Sequence, residues 1–78
     1  MISRYSKQAR KFFEKQGKET ESRIKRAVDK LPIGDVTKMG GYADRYRLRV
    51  GDYRIIFTKD KEGISVRKID NRGQVYKD

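Results

Sequence analysis

A chain of 78 residues makes one domain with a modest core. Its 21 Lys and Arg against 11 Asp and Glu give a net charge of +10 and a pI near 10.1, which points to a polyanionic partner. With no cysteine and no histidine, disulfides, thiolate metal sites, zinc chemistry and histidine acid–base catalysis are all excluded.

The opening MISRYSKQARK has no apolar stretch of signal-peptide length, and no run approaches a membrane span. A soluble, cytoplasmic protein without a membrane partner is expected. Ile2 to Tyr5 reads as a short first strand. Ser6 is a candidate N-cap for a helix running to about Gln16, with Gly17 as its stop. Ala9, Phe12, Phe13 and Gln16 fall at helical spacing on one face. A second helix is expected from about Lys18 to Leu31, where Ile24, Ala27, Val28 and Leu31 recur at i, i+3, i+4 and i+7, and Pro32 ends it. The single-residue break at Gly17 makes the two helices a hairpin. IGDVTKMGG, residues 33–41, reads as an irregular crossing.

From Asp44 the period changes to two. Tyr46, Leu48 and Val50 point one way and Arg45, Arg47 and Arg49 the other. Gly51-Asp52 suits a two-residue hairpin turn with glycine first. Tyr53, Ile55 and Phe57 then share the apolar face, and Arg54 and Ile56 the opposite one. KDKEG at 59–63 is a second turn; Ile64 and Val66 continue the apolar face, while Ser65 and Arg67 join the polar one. VYK near the end reads as a last strand or a tail. The sum is an α+β fold, a helical hairpin packed on one face of a small antiparallel sheet, forming a single domain over residues 1–78.

The two-residue turn sets Val50 opposite Tyr53, hence Arg49 opposite Arg54, Leu48 opposite Ile55 and Tyr46 opposite Phe57. If the next turn leaves Phe57 opposite Ile64, Arg54 also opposes Arg67. Arg49, Arg54 and Arg67 then form a row, with Arg47 one step along. Like charges directly opposite in a sheet destabilise it by roughly 0.2–1 kcal/mol per pair. The nearest acids in sequence, Asp44 and Asp52, lie at strand ends and cannot neutralise the row. Guanidinium forks match phosphate oxygens two at a time, so a phosphate backbone is the simplest ligand for such a face. The alternative is a hydrated face whose arginines splay apart over Ile56.

MGGYADRYRLRVGDYRIIF followed by ISVRKIDNRGQVYK, together with the KLP that closes the second helix, resembles the RelE branch of the RelE/ParE toxin superfamily over nearly the whole chain. The resemblance implies a small α+β toxin of a type II toxin–antitoxin system. It implies an mRNA interferase that enters the A site of the 70S ribosome, beside 16S rRNA, and cuts the mRNA there. In that chemistry the 2′-hydroxyl attacks the adjacent phosphate and leaves a 2′,3′-cyclic phosphate, with no metal and no cofactor. Carried over by motif, Arg54, Arg72 and Tyr76 become the catalytic positions. Arg47 and Arg49 become RNA-binding positions, and Arg45 and Arg67, which the strand reading puts on the polar face, are expected to join them. Better-known members carry lysine at one or both of positions 47 and 49, and arginine does not readily give up its proton. The base is then Tyr76 or a group of the ribosomal RNA. A cognate acidic antitoxin is the implied protein partner. Other readings are a ParE-like inhibitor of DNA gyrase, a non-catalytic RNA- or ribosome-binding module, and a degenerate toxin that keeps the fold alone.

Overall fold

Five strands form one sheet in the order β1-β5-β4-β3-β2, seen in a computed structural model that describes residues 2–41 and 44–71. The strands are β1 (Ile2–Tyr5), β2 (Asp35–Lys38), β3 (Arg45–Val50), β4 (Tyr53–Lys59) and β5 (Gly63–Asn71), with helices α1 (Lys7–Gln16) and α2 (Lys18–Asp29) between β1 and β2. The sheet is antiparallel except at one edge, where β1 runs parallel to β5. β1 and β5 are joined through both helices and strands β2, β3 and β4, a long connection of the kind a parallel pair requires.

Local chemistry sets the helix ends. Ser6 has extended backbone, and its hydroxyl oxygen accepts from the Ala9 N–H at 3.1 Å. The Ser6 hydroxyl also donates to the Arg67 carbonyl at 2.7 Å, tying the start of α1 to β5. Gly17, at φ 95°, closes α1 through its N–H to the Phe13 carbonyl and starts α2 without a side-chain cap. α2 ends at Asp29, two residues short of the expected Leu31, because the residue before a proline avoids the helical region. Gln16 is exposed and lies outside the buried stripe of α1.

The core joins Ala9 and Phe13 of α1 and Ile24 and Val28 of α2 to Leu48, Ile55, Phe57, Ile64, Val66 and Ile69 of the sheet. Tyr46 stacks on Phe57 with centroids 5.5 Å apart, and Phe12 meets Tyr53 edge-on at 5.8 Å. Both tyrosines thus stand on the apolar face. Desolvation pushes the Tyr5 phenol up to about 12, reinforced by Asp29 and then Glu21. The neutral phenol is the form the fold favours. Its contribution is therefore complete below the ordinary value near 10 and disappears as pH rises through 12. We expect the urea midpoint of the parent to fall more steeply than that of Tyr5→Phe between pH 10 and 12.

Two sequence expectations need correction. The crossing at 33–41 contains strand β2, which pairs Asp35, Val36, Thr37 and Lys38 with Arg49, Leu48, Arg47 and Tyr46. The turn between β4 and β5 sets Lys59, not Phe57, opposite Ile64. Phe57 faces Val66, Ile56 faces Lys68, and Arg67 is the extra residue of a bulge. The apolar pattern demands that bulge: an unbroken ladder from Phe57–Val66 would place Lys68 opposite Ile55, and the bulge places Ile69 there instead.

Candidate phosphate-binding face of the sheet

The β3–β4 hairpin has the expected register, with Val50 opposite Tyr53, Arg49 opposite Arg54, Leu48 opposite Ile55 and Tyr46 opposite Phe57. Gly51 holds the turn at φ 58°, and the Arg23 guanidinium of α2 lies 2.8 Å from where a Cβ at Gly51 would stand. A side chain there meets both a strained backbone and an arginine. Leu48 and Ile55 point into the core, so the alternation of the pleat turns Arg45, Arg47, Arg49 and Arg54 to the opposite face.

On that face Arg47 is half-buried between Thr37 of β2 and Ile56 of β4. Arg49 stands between Asp35 and Arg54, with its Nε 3.7 Å from Asp35 Oδ2. That pair is open to solvent, 49% and 64% exposed, and contributes little. Arg54 is 21% exposed; its Nη2 lies 3.7 Å from Oδ2 of Asp70, itself 20% exposed. Lys68 Nζ lies 3.8 Å from the same oxygen. The Arg54 Nε–H is buried and unpaired. At 3.7 Å the contact with Asp70 is electrostatic and longer than a hydrogen bond. The Nη2 end of Arg54 is therefore held near Asp70 by charge alone.

The continuous row of three arginines is replaced by alternating charge. Asp70, not Arg67, is the cross-strand partner of Arg54. Arg67 is exposed in the bulge, and its Nε donates to Thr58 Oγ1 at 3.2 Å, away from Arg54. Arg45 opposes Thr58 at the far end of β3. Arg72, Tyr76 and Tyr42 lie outside the described residues. The structure thus sets Arg45, Arg47, Arg49 and Arg54 on one face, with Arg45 at its far end, and separates Arg67 from Arg54.

Asp35, Lys68 and Asp70 were missed in the sequence. The signal for the last two was present: the apolar parity of Ile64 and Val66 breaks before Ile69, and a one-residue bulge repairs it. Gln8 marks the same place. Its side-chain amide donates to the Ile69 carbonyl at 3.1 Å and accepts from the Ile69 N–H at 3.0 Å, holding the edge of β5 where β1 has ended.

A family model described as "ParE toxin of type II toxin-antitoxin system, parDE" matches residues 3–76. Among solved structures, the chain is similar to one in the RelB-RelE antitoxin-toxin complex from Methanococcus jannaschii, at 25% identity and TM-score 0.75, covering 94% of each chain. It is also similar to one in the archaeal RelE-RelB complex from Pyrococcus horikoshii OT3, at 28% identity and TM-score 0.70, covering 92% of this chain and 94% of that one. No curated protein matches the chain. No helix among the described residues is long and apolar enough to cross a membrane.

Proposed function

The chain belongs to the ParE toxin family of the RelE/ParE superfamily, and from that premise we propose that it is a ribosome-dependent mRNA endonuclease that blocks translation. The observation that carries this reading is Arg54, set beside Arg49 and one residue pair from Arg47 on one sheet face, with its Nη2 3.7 Å from Asp70 and so not tied by a short hydrogen bond to it. Cleavage of RNA by its own 2′-hydroxyl places extra negative charge on the phosphorane oxygens. Preorganised cations at that point lower the barrier.

In this scheme Arg54 and Arg72 hold the phosphorane oxygens. Tyr76 stacks on a base and orients the hydroxyl. Arg47 and Arg49 place the backbone, with Arg45 and Arg67 on its flanks. No cofactor enters the scheme. A ribosome requirement follows from the openness of the face. The cations lie on a sheet surface, and a shallow surface needs the ribosomal A site and its 16S rRNA to hold the message against it.

Inhibition of DNA gyrase is the second reading, and the family-model description favours it. The retained arginine set favours the nuclease, because an inhibitor has no need to bind a phosphorane. Mapping of 5′ ends after brief exposure of a translation extract to the protein separates the two. The nuclease reading expects cuts inside codons of ribosome-bound message and little cutting of free RNA. Gyrase inhibition with intact message would favour the other reading.

The relatives in the RelB complexes support an antitoxin as the protein partner. The groove between α2 and strands β2 and β3, about 420 Å³, fits an acidic amphipathic segment of such a partner. Arg23, Arg26 and Lys30 stand around an apolar floor of Ala27, Leu48 and Val50, with Ile33 left 76% exposed beside it.

A further inference from the structure

The nuclease reading needs an acceptor for the 2′-hydroxyl proton, and Tyr76 and the ribosomal RNA are not the sole candidates. Arginine at positions 47 and 49 is a poor base, since a guanidinium does not readily give up its proton. Among the described residues two carboxylates stand on the cationic face, Asp35 and Asp70. Asp35 is 64% exposed on the edge strand β2. Asp70 is 20% exposed on β5, directly opposite Arg54.

We propose that Asp70 is the general base that takes the 2′-hydroxyl proton of the message, a proposal that rests on the nuclease reading. A phosphate held by the Arg54 fork lies against the carboxylate that stands 3.7 Å from that guanidinium. Neither cation is within hydrogen-bond distance of Asp70 Oδ2, at 3.7 and 3.8 Å, so that oxygen is not occupied by a short contact to them. Arg54 and Lys68 balance its charge, which lets a carboxylate sit against an anionic backbone. Gln8 clamps both backbone groups of the preceding residue, Ile69, and the cross-strand partner Arg54 sits on the central strand β4. The base is thereby carried by rigid structure.

The reaction balances as follows. The 2′-oxygen gives its proton to Asp70 and forms the new bond to phosphorus. The bond from phosphorus to the 5′-oxygen breaks, and its electron pair stays on that oxygen, which takes a proton from water. The hydroxide left behind is neutralised by the proton on Asp70, and the carboxylate returns to its starting state.

Single-turnover cleavage on purified ribosomes tests the assignment, with ribosome association and thermal melting measured in parallel. Asp70→Asn should cut about a hundredfold more slowly while still associating with ribosomes, the size of effect expected for a lost general base. Asp70→Gly should regain rate as formate is added, and Arg54→Ala should not respond to formate. Asp70→Glu keeps the charge that Arg54 and Lys68 face, so it guards against a loss caused only by misfolding. As a base displaced by one methylene it should lose about tenfold or more. A carboxylate needed only for charge balance would leave Asp70→Glu at the parent rate and Asp70→Gly unresponsive to formate. Either result overturns the assignment while the nuclease reading stands. A parent protein that binds ribosomes and leaves the message whole overturns both.

Discussion

Arg54→Ala is expected to slow message cleavage on the ribosome by about a hundred- to a thousandfold, the loss typical of one preorganised contact to a developing oxyanion. Arg54 is placed for a large effect. It lies on the central strand β4, between Arg49 on one side and Asp70 on the other, and only a fifth of its side chain meets solvent. A half-sheltered guanidinium acts on charge in a lower local dielectric than an exposed one. Arg54→Lys keeps the charge and loses the two-pronged geometry, so it should fall between the parent and the alanine variant. Thermal melting should move little for either, because removing Arg54 relieves the like-charge pairing opposite Arg49 while leaving Asp70 to Lys68. An alanine variant that melts like the parent and cuts at the parent rate would remove this strand from the site.

How much of that placement was legible depended on how local the determinants were. The β3–β4 register was readable because a two-residue turn leaves no slack and because Leu48–Ile55 and Tyr46–Phe57 must meet on the core side. The cap at Ser6 and the break at Gly17 were readable for the same reason: each is decided by one residue and its immediate neighbours. Strand β2 was not. It has four residues, one partly buried apolar side chain in Val36, and two glycines soon after it. An edge strand that short is held by its pairing to β3 and carries no periodic signal of its own.

The partner of Arg54 was hidden for a different reason. An even ladder with Phe57 opposite Ile64 brings Arg67 to Arg54; the turn instead sets Lys59 opposite Ile64, a shift of two, and the bulge adds one more, so that Asp70 arrives. A bulge is a long-range compromise. The helices must cover Ile64, Val66 and Ile69 together, and only an extra residue at Arg67 lets all three face inward. The turn register and the bulge together change the chemistry of the outer face, from an unbroken cationic row to arginine beside carboxylate. The parallel edge strand β1 also depended on distant contacts, since Ser6 and Gln8 fasten to β5 about 61 residues away. For the candidate site, the residue types and the Arg49–Arg54 pairing were therefore legible, and the neighbours on β2 and β5 were not.

Ile55→Ala is expected to cost about 2–5 kcal/mol, the usual range for removing a buried branched side chain and leaving part of its cavity. Ile55 is fully buried, between Leu48 of β3 and Ile69 of β5, in the cluster that α1 and α2 cover. At about 0.05–0.15 kcal/mol per residue, a chain of this length has roughly 4–12 kcal/mol in all, so the loss is a large share of the total. A domain this small should melt about 4–8 °C lower for each kcal/mol removed. Ile55→Val, which keeps two of the three lost carbons, should cost only about 0.5–1.5 kcal/mol. The residue is adjacent to Arg54 on the same strand and points the other way. Cleavage by Ile55→Ala should therefore fall in proportion to the folded fraction measured at the assay temperature, with the rate per folded molecule near that of the parent. A drop in rate per folded molecule would mean that the core side of β4 sets the aim of the guanidinium on its outer side, so that packing at Ile55 belongs to catalysis as well as to stability.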